Sequence, residues 1–166
     1  MSETVGKLFD YAIELEKATE TLYRKLGKMF AEAHDVEHFW SHLADEERGH
    51  AAYLERIRKG LDNKRLSELA DDKIIHDVHM CLGAASQKRL DGVQNLEDAY
   101  QLATELENSE TNAIFEFMLM NFSTDELAKS QKFLRIQLNE HLASLATGLP
   151  GQYGSSSARQ NLPALR

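Results

Sequence analysis

Apolar residues recur at steps of three and four along most of this chain, the spacing that gathers them on one face of an α-helix. In the first run Leu8, Ala12, Leu15, Thr19, Leu22 and Leu26 form a seam, and the pattern predicts a helix from about Glu3 to Phe30. Phe9, Ala12, Glu16, Thr19 and Tyr23 make a second row beside it, while Asp10, Glu14, Lys17 and Thr21 fall on the wet face. Glu16 therefore sits among apolar neighbours. A second run carries Trp40, Leu43, Ala44, Glu47, His50, Ala51, Leu54 and Ile57 on one stripe, with Asp35 expected to cap its start and Gly60 to stop it after Lys59. A third helix is predicted from just after Asn95 to about Met120, its seam including Ala99, Ala103, Glu107, Glu110, Ile114 and Phe117. Ser123-Thr124-Asp125-Glu126 is a capping-box signature, so a fourth helix is expected from there to Thr147, with Leu127, Leu134, Leu138, His141 and Leu145 inward.

Between the second and third helices, Leu61 to Gln94 has weak periodicity, with short helical pieces expected around Leu66 to Leu69 and Ile74 to Leu82. That is too long for a tight turn between antiparallel neighbours and fits a long crossover. The expected fold class is all-α, a four-helix bundle over residues 1–147. The remainder, 148–166, is rich in glycine and serine and is expected to form an irregular tail.

Composition narrows the picture. The only two prolines, Pro150 and Pro163, lie beyond the last helical pattern, so nothing breaks the predicted helices. A net charge of −8 without any Lys/Arg run argues against a nucleic-acid surface. No apolar run reaches the length of a membrane span, and the start lacks the layout of a signal peptide, so no membrane partner and a cytoplasmic location are expected. A single cysteine, Cys81, excludes an internal disulfide and a Cys-x-x-Cys metal site.

The unusual residues are the polar ones inside the seams. A carboxylate or an imidazole buried among apolar side chains costs several kcal/mol, roughly, unless something pairs with it. Glu47-x-x-His50 puts one of each a helical turn apart on the same face. Sliding the chain by 91 positions superposes its halves: Glu16 meets Glu107, Met29 meets Met120, Leu43 meets Leu134, His50 meets His141 and Leu54 meets Leu145. A helix pair is thus repeated, and its copies bring Glu16, Glu47, His50, Glu107 and His141 to one level. Such an oxygen-rich cage with two imidazoles suits two metal ions of intermediate hardness, iron first, then manganese or zinc. The alternative is a buried layer of salt bridges in a purely structural bundle.

These residues resemble the ferritin-like superfamily and, within it, the rubrerythrin-type di-iron carboxylate proteins. The resemblance covers about Val5 to Thr147. It rests on Glu16 with Tyr23, on Leu43-Ala44-Asp45-Glu46-Glu47-Arg48-Gly49-His50, on Glu107-x-x-Glu110 and on His141. It implies a ferritin-like bundle whose crossover joins helices 2 and 3. It also implies Glu16 and His50 on one iron, Glu107 and His141 on the other, and Glu47 bridging. Glu110 matches a glutamate that shifts coordination between redox states, and Tyr23 a tyrosine that hydrogen-bonds a ligand carboxylate and serves the chemistry. The implied activity is an oxidoreductase reducing peroxide or oxygen.

Two departures qualify it. The family's second Glu-x-x-His needs a glutamate at 138, where this chain has Leu138; Glu140 faces elsewhere, and Gln137 is the nearest polar substitute. With only Cys81 there is no rubredoxin-type module, so electrons are expected from an external donor. A metal-binding or iron-handling protein without turnover, or a bundle with a degenerate site, are the other readings. A homodimer is the expected assembly. The pairs among His34, His38 and His42, and His76 with His79 near Met80, are expected to be surface or packing residues.

Overall fold

The computed structural model describes residues 3–122 and 139–165; within the helices the side chains of 110–112, 114–116, 118–121 and 139 are not described. Helix α1 spans Val5–Met29, two residues later than its hydrophobic pattern begins, because the Thr4 hydroxyl accepts from the Lys7 amide and caps it there. Helix α2 spans His34–Gly60. Its first residue precedes the expected cap: Ala33 occupies that position without a side-chain hydrogen bond, and Asp35 lies in the first turn, where a carboxylate favours the helix dipole. The two helices pack along their length as an antiparallel hairpin.

The crossover is more ordered than its weak periodicity suggests. It holds α3 (Asn63–Leu66), α4 (Asp72–Ala84) and a 3-10 turn at Gln87–Gly92. Asp62 and Asp71 cap the two helices through their carboxylates. Ile74, Val78 and Cys81 form the buried face of α4, which packs on α1 and α5. Two backbone bonds, Val5 N–H to Glu68 O and Ala70 N–H to Glu3 O, fasten the crossover to the start of α1.

Helix α5 (Leu96–Asn121) is the third long helix. Where the fourth helix is expected, the structure describes α6, Asn139–Thr147, packed on α5 and α2. The capping box, Leu127, Leu134, Gln137 and Leu138 lie outside the described residues. Gly148 ends α6 where a Cβ would stand 2.5 Å from Ser144 O and 3.0 Å from the Phe39 ring. Among the described residues, strand-like pairing is confined to two isolated bridges.

The tail departs from the irregular segment expected. It forms a 3-10 turn at Gly151–Tyr153 and a short helix α7, Ser156–Gln160. It then folds back: Leu162 O accepts from Leu96 N–H, Ala164 N–H donates to Gln94 O, and Leu165 N–H donates to Met29 O. Arg159 explains the difference. It pairs with Glu97 at 2.5 Å, donates to the carbonyls of Tyr153 and Gly154, and lies over the Tyr100 ring. One long-range partner set orders a segment that composition alone marks as loose.

The core divides into layers along the bundle. Phe9 meets Phe117 edge to face at 4.8 Å and also Phe122, forming one aromatic layer. Tyr23, stacked on Trp40, and Phe39 form another. On α1, Glu16 lies midway between Phe9 and Tyr23, about 10 Å from each along the helix axis.

Candidate metal centre

Between those aromatic layers the structure gathers Glu16, Glu47, His50, Glu107 and His141. All five are buried, none above 7% exposed. Each comes from a seam position. Glu16 is on α1, Glu47 and His50 are one turn apart on α2, Glu107 is on α5 and His141 on α6.

Glu47 is the hub. Its Oε2 lies 3.2 Å from His50 Nδ1, which is also 3.2 Å from Glu16 Oε2. Its Oε1 lies 2.8 Å from His141 Nε2, which is also 2.8 Å from Glu107 Oε1. The cage therefore has two halves, each with one imidazole, one carboxylate and one oxygen of Glu47. The histidine rings meet edge to face with centroids 5.3 Å apart. Tyr23 donates its hydroxyl to Glu107 Oε1 from the neighbouring aromatic layer. Glu110 follows Glu107 by one turn on α5, and its side chain lies outside the described residues.

Electrostatics follow from burying three carboxylates together. Burial and the charge of Glu47 push the Glu16 carboxyl well above its ordinary value. Burial and the same charge also raise Glu107, against hydrogen bonds from His141 and Tyr23. Burial would raise Glu47 too, but the contacts of His141 and His50 with its two oxygens outweigh it and hold this carboxyl far below the usual range. His141 goes the other way: burial disfavours its charge, and contacts with Glu107, Glu46 and Glu47 overcome that and raise it strongly. Glu47 is thus the fixed anion, and protons on its neighbours offset the excess negative charge.

A cation suits this donor set better than protons do. Glu16 Oε2, Glu47 Oε1 and His141 Nδ1 are buried without a hydrogen-bond partner of good geometry among the described residues, although oppositely charged atoms stand 2.8–3.2 Å away. Donors that converge at that distance without hydrogen-bond alignment are arranged as metal ligands are. Ligand atoms of Glu47, His50 and His141 all lie within 4.8 Å of one another. Mixed carboxylate and imidazole donors favour iron, manganese or zinc.

Sequence reasoning missed Glu46. Its Oε2 lies 2.9 Å from His141 Nδ1, on the opposite side of the ring from Glu47 and Glu107. One step round the helix from Glu47, it reads as a surface residue, and helix phase alone does not reveal that α6 covers that edge. Trp40, beside Tyr23, is also close to the centre and was legible only as core.

The remaining histidines lie elsewhere. His38 and His42 line a cleft of about 340 Å³ with Asp35, Phe39, Ser144, Thr147 and Gly148. His79 packs edge-on against Tyr11, and Cys81 is buried in the core. No helix among the described residues is long and apolar enough to cross a membrane.

No family model and no curated protein sequence matches the chain. Its fold does match a solved one, the 2.30 Å crystal structure of a Thermotoga maritima protein assigned to the ferritin-like diiron-carboxylate proteins. The match has 20% sequence identity and a TM-score of 0.63, and it covers 87% of this chain and 93% of that one. Likeness at that identity speaks for the fold, and the fold of this chain is the ferritin-like helical bundle.

Proposed function

We propose that this protein binds a redox-active first-row metal, iron first, in the cage around Glu47, and that the bound metal serves the reduction of oxygen or peroxide. The observation that carries the reading is the central carboxylate: Glu47 is 1% exposed, strongly biased to its anionic form, and in contact with both imidazoles. A structural bundle gains little from such a group, because a buried ion pair is often no more stable than apolar residues of the same volume.

Bound iron would supply one-electron redox chemistry and Lewis acidity. The chain's own residues set the surroundings. Glu16, Glu47 and Glu107 offset positive charge, His50 and His141 add neutral nitrogen donors, and the flanking aromatic layers exclude water. Tyr23 O–H holds Glu107 in place and puts a proton beside it. Electrons would come from a donor outside the four helices, since Cys81 is the single cysteine of the chain.

The decisive experiment is an anaerobic titration of metal-free protein with ferrous iron, with metal per chain measured by elemental analysis. Wild type is expected to retain iron through gel filtration, and Glu47→Ala to retain little or none. Failure of wild type to bind iron, manganese or zinc would overturn the reading. If iron binds, mixing the ferrous protein with peroxide or with oxygen should give oxidation faster than that of free ferrous ion.

A further inference from the structure

Helix α2 carries a second row of metal-ligating side chains outside the cage. His34, His38, His42 and Glu46 follow one another at steps of four from its first residue. Steps of four keep side chains adjacent on a helix surface, and each step turns the row by about 40° and advances it by about 6 Å. The row therefore winds from the start of α2 toward the edge covered by α6. Burial deepens along it: the His42 side chain is 61% exposed, Glu46 27% and His141, the next group in line, 3%. The contacts are continuous as well. His42 Nε2 lies 3.5 Å from Glu46 Oε1, and Glu46 Oε2 lies 2.9 Å from His141 Nδ1. The other nitrogen of His141 faces Glu47 and Glu107. One ring thus meets a carboxylate from the surface side and two from the cage side. At the outer end, His38 and His42 line the cleft of about 340 Å³ between α2 and α6, with Asp35 on α2 and Ser144 and Thr147 on α6. Two histidines four apart on one helix face are a bidentate arrangement for a divalent cation. Asp35 adds negative charge at the same mouth, on a chain of net charge −8. A cleft of one sign raises the local concentration of counter-ions and the rate at which they arrive.

We propose that this cleft is the entry for the metal of the cage: His38 and His42 take a divalent first-row cation from solution, and Glu46 leads it to His141. The inference rests on the cage being a metal centre. Two imidazoles are a small donor set beside the carboxylates and histidines of the cage, so the cleft holds its cation weakly and releases it. Its role lies in the rate of filling and leaves the amount finally bound unchanged.

Zinc is the probe, because it keeps one oxidation state throughout. Chelator-treated protein is mixed with zinc, excess EDTA is added after a set delay to strip the exposed cleft, and the zinc retained through gel filtration is counted. In His38→Gln/His42→Gln, confirmed as folded by circular dichroism, filling is expected to slow by at least about 10-fold, the lower end of what a local store of counter-ions brings to association. The amount retained after long incubation should equal that of wild type, a split between rate and extent that general destabilisation would not give. Equal filling rates would mark the two histidines as an adventitious surface site and overturn the proposal. A second measurement reads the cleft directly. In wild type labelled with nitrogen-15 in histidine, zinc added beyond what fills the cage should shift the ring signals of His38 and His42, assigned from the single His→Gln variants. Unmoved signals would also overturn the proposal while leaving the metal centre standing. Failure of wild type to retain zinc after any delay would instead overturn the centre itself, and the delivery role with it.

Discussion

At the scale of single residues, the site is organised by who donates to whom. Glu107 Oε1 accepts from both Tyr23 and His141, so removing the phenol hydroxyl takes one of two donors from a buried carboxylate. Tyr23→Phe keeps the ring stacked on Trp40 and deletes only that bond. Leaving a buried acceptor short of a donor costs about 1–3 kcal/mol. For a chain of this size, each kcal/mol lowers the melting temperature by about 2–4 °C. The metal-free variant is therefore expected to melt several degrees below wild type, and thermal unfolding followed by circular dichroism checks it. An unchanged melting temperature would mean that water replaces the phenol. The cage residues were legible because each sits at a seam phase where a polar side chain is out of place. Glu46 was not legible, because its contact depends on which neighbouring helix lies over the edge of α2, and no one-dimensional pattern carries that.

At the scale of elements, the long helices were readable from period alone, with boundaries displaced by local capping: Thr4 moves the start of α1, and Ala33 rather than Asp35 precedes α2. The tail was not readable, because its order comes from Arg159, which gathers Glu97, Tyr100 and two carbonyls from distant positions. Glu97 accordingly links the tail to pH. Burial would raise its carboxyl, but hydrogen bonds from Arg159, Gln101 and Ser156 hold it below the ordinary value. A depressed folded-state value means the contribution is complete above the unfolded-state value, about 4.3, and is lost as pH falls through the folded-state one. Limited proteolysis should therefore find the tail protected at neutral pH and cut more readily as the solution is acidified below about pH 4. Glu97→Gln should show that susceptibility already at pH 7. Equal protection in wild type and variant at both pH values would remove Glu97 from this role.

At the scale of the whole molecule, burying three carboxylates and two histidines in the middle of the core sets stability against function. The apolar layers on either side must outweigh the cost of a centre whose buried polar atoms make poorly aligned contacts. A metal that binds only the folded chain shifts that balance by mass action, adding about 2.7 kcal/mol when free metal is a hundred times its dissociation constant. For a chain of this length that corresponds to a rise of about 5–10 °C in melting temperature. Zinc is expected to produce that rise in wild type and none in Glu47→Ala. In metal-free buffer the variant is expected to melt below wild type, because alanine takes away the anion that His50 and His141 both contact, and removing one partner of a buried ion pair costs about 3–5 kcal/mol. A metal-dependent rise of equal size in both proteins would place the binding elsewhere, with the surface histidines His38 and His42 the next to replace.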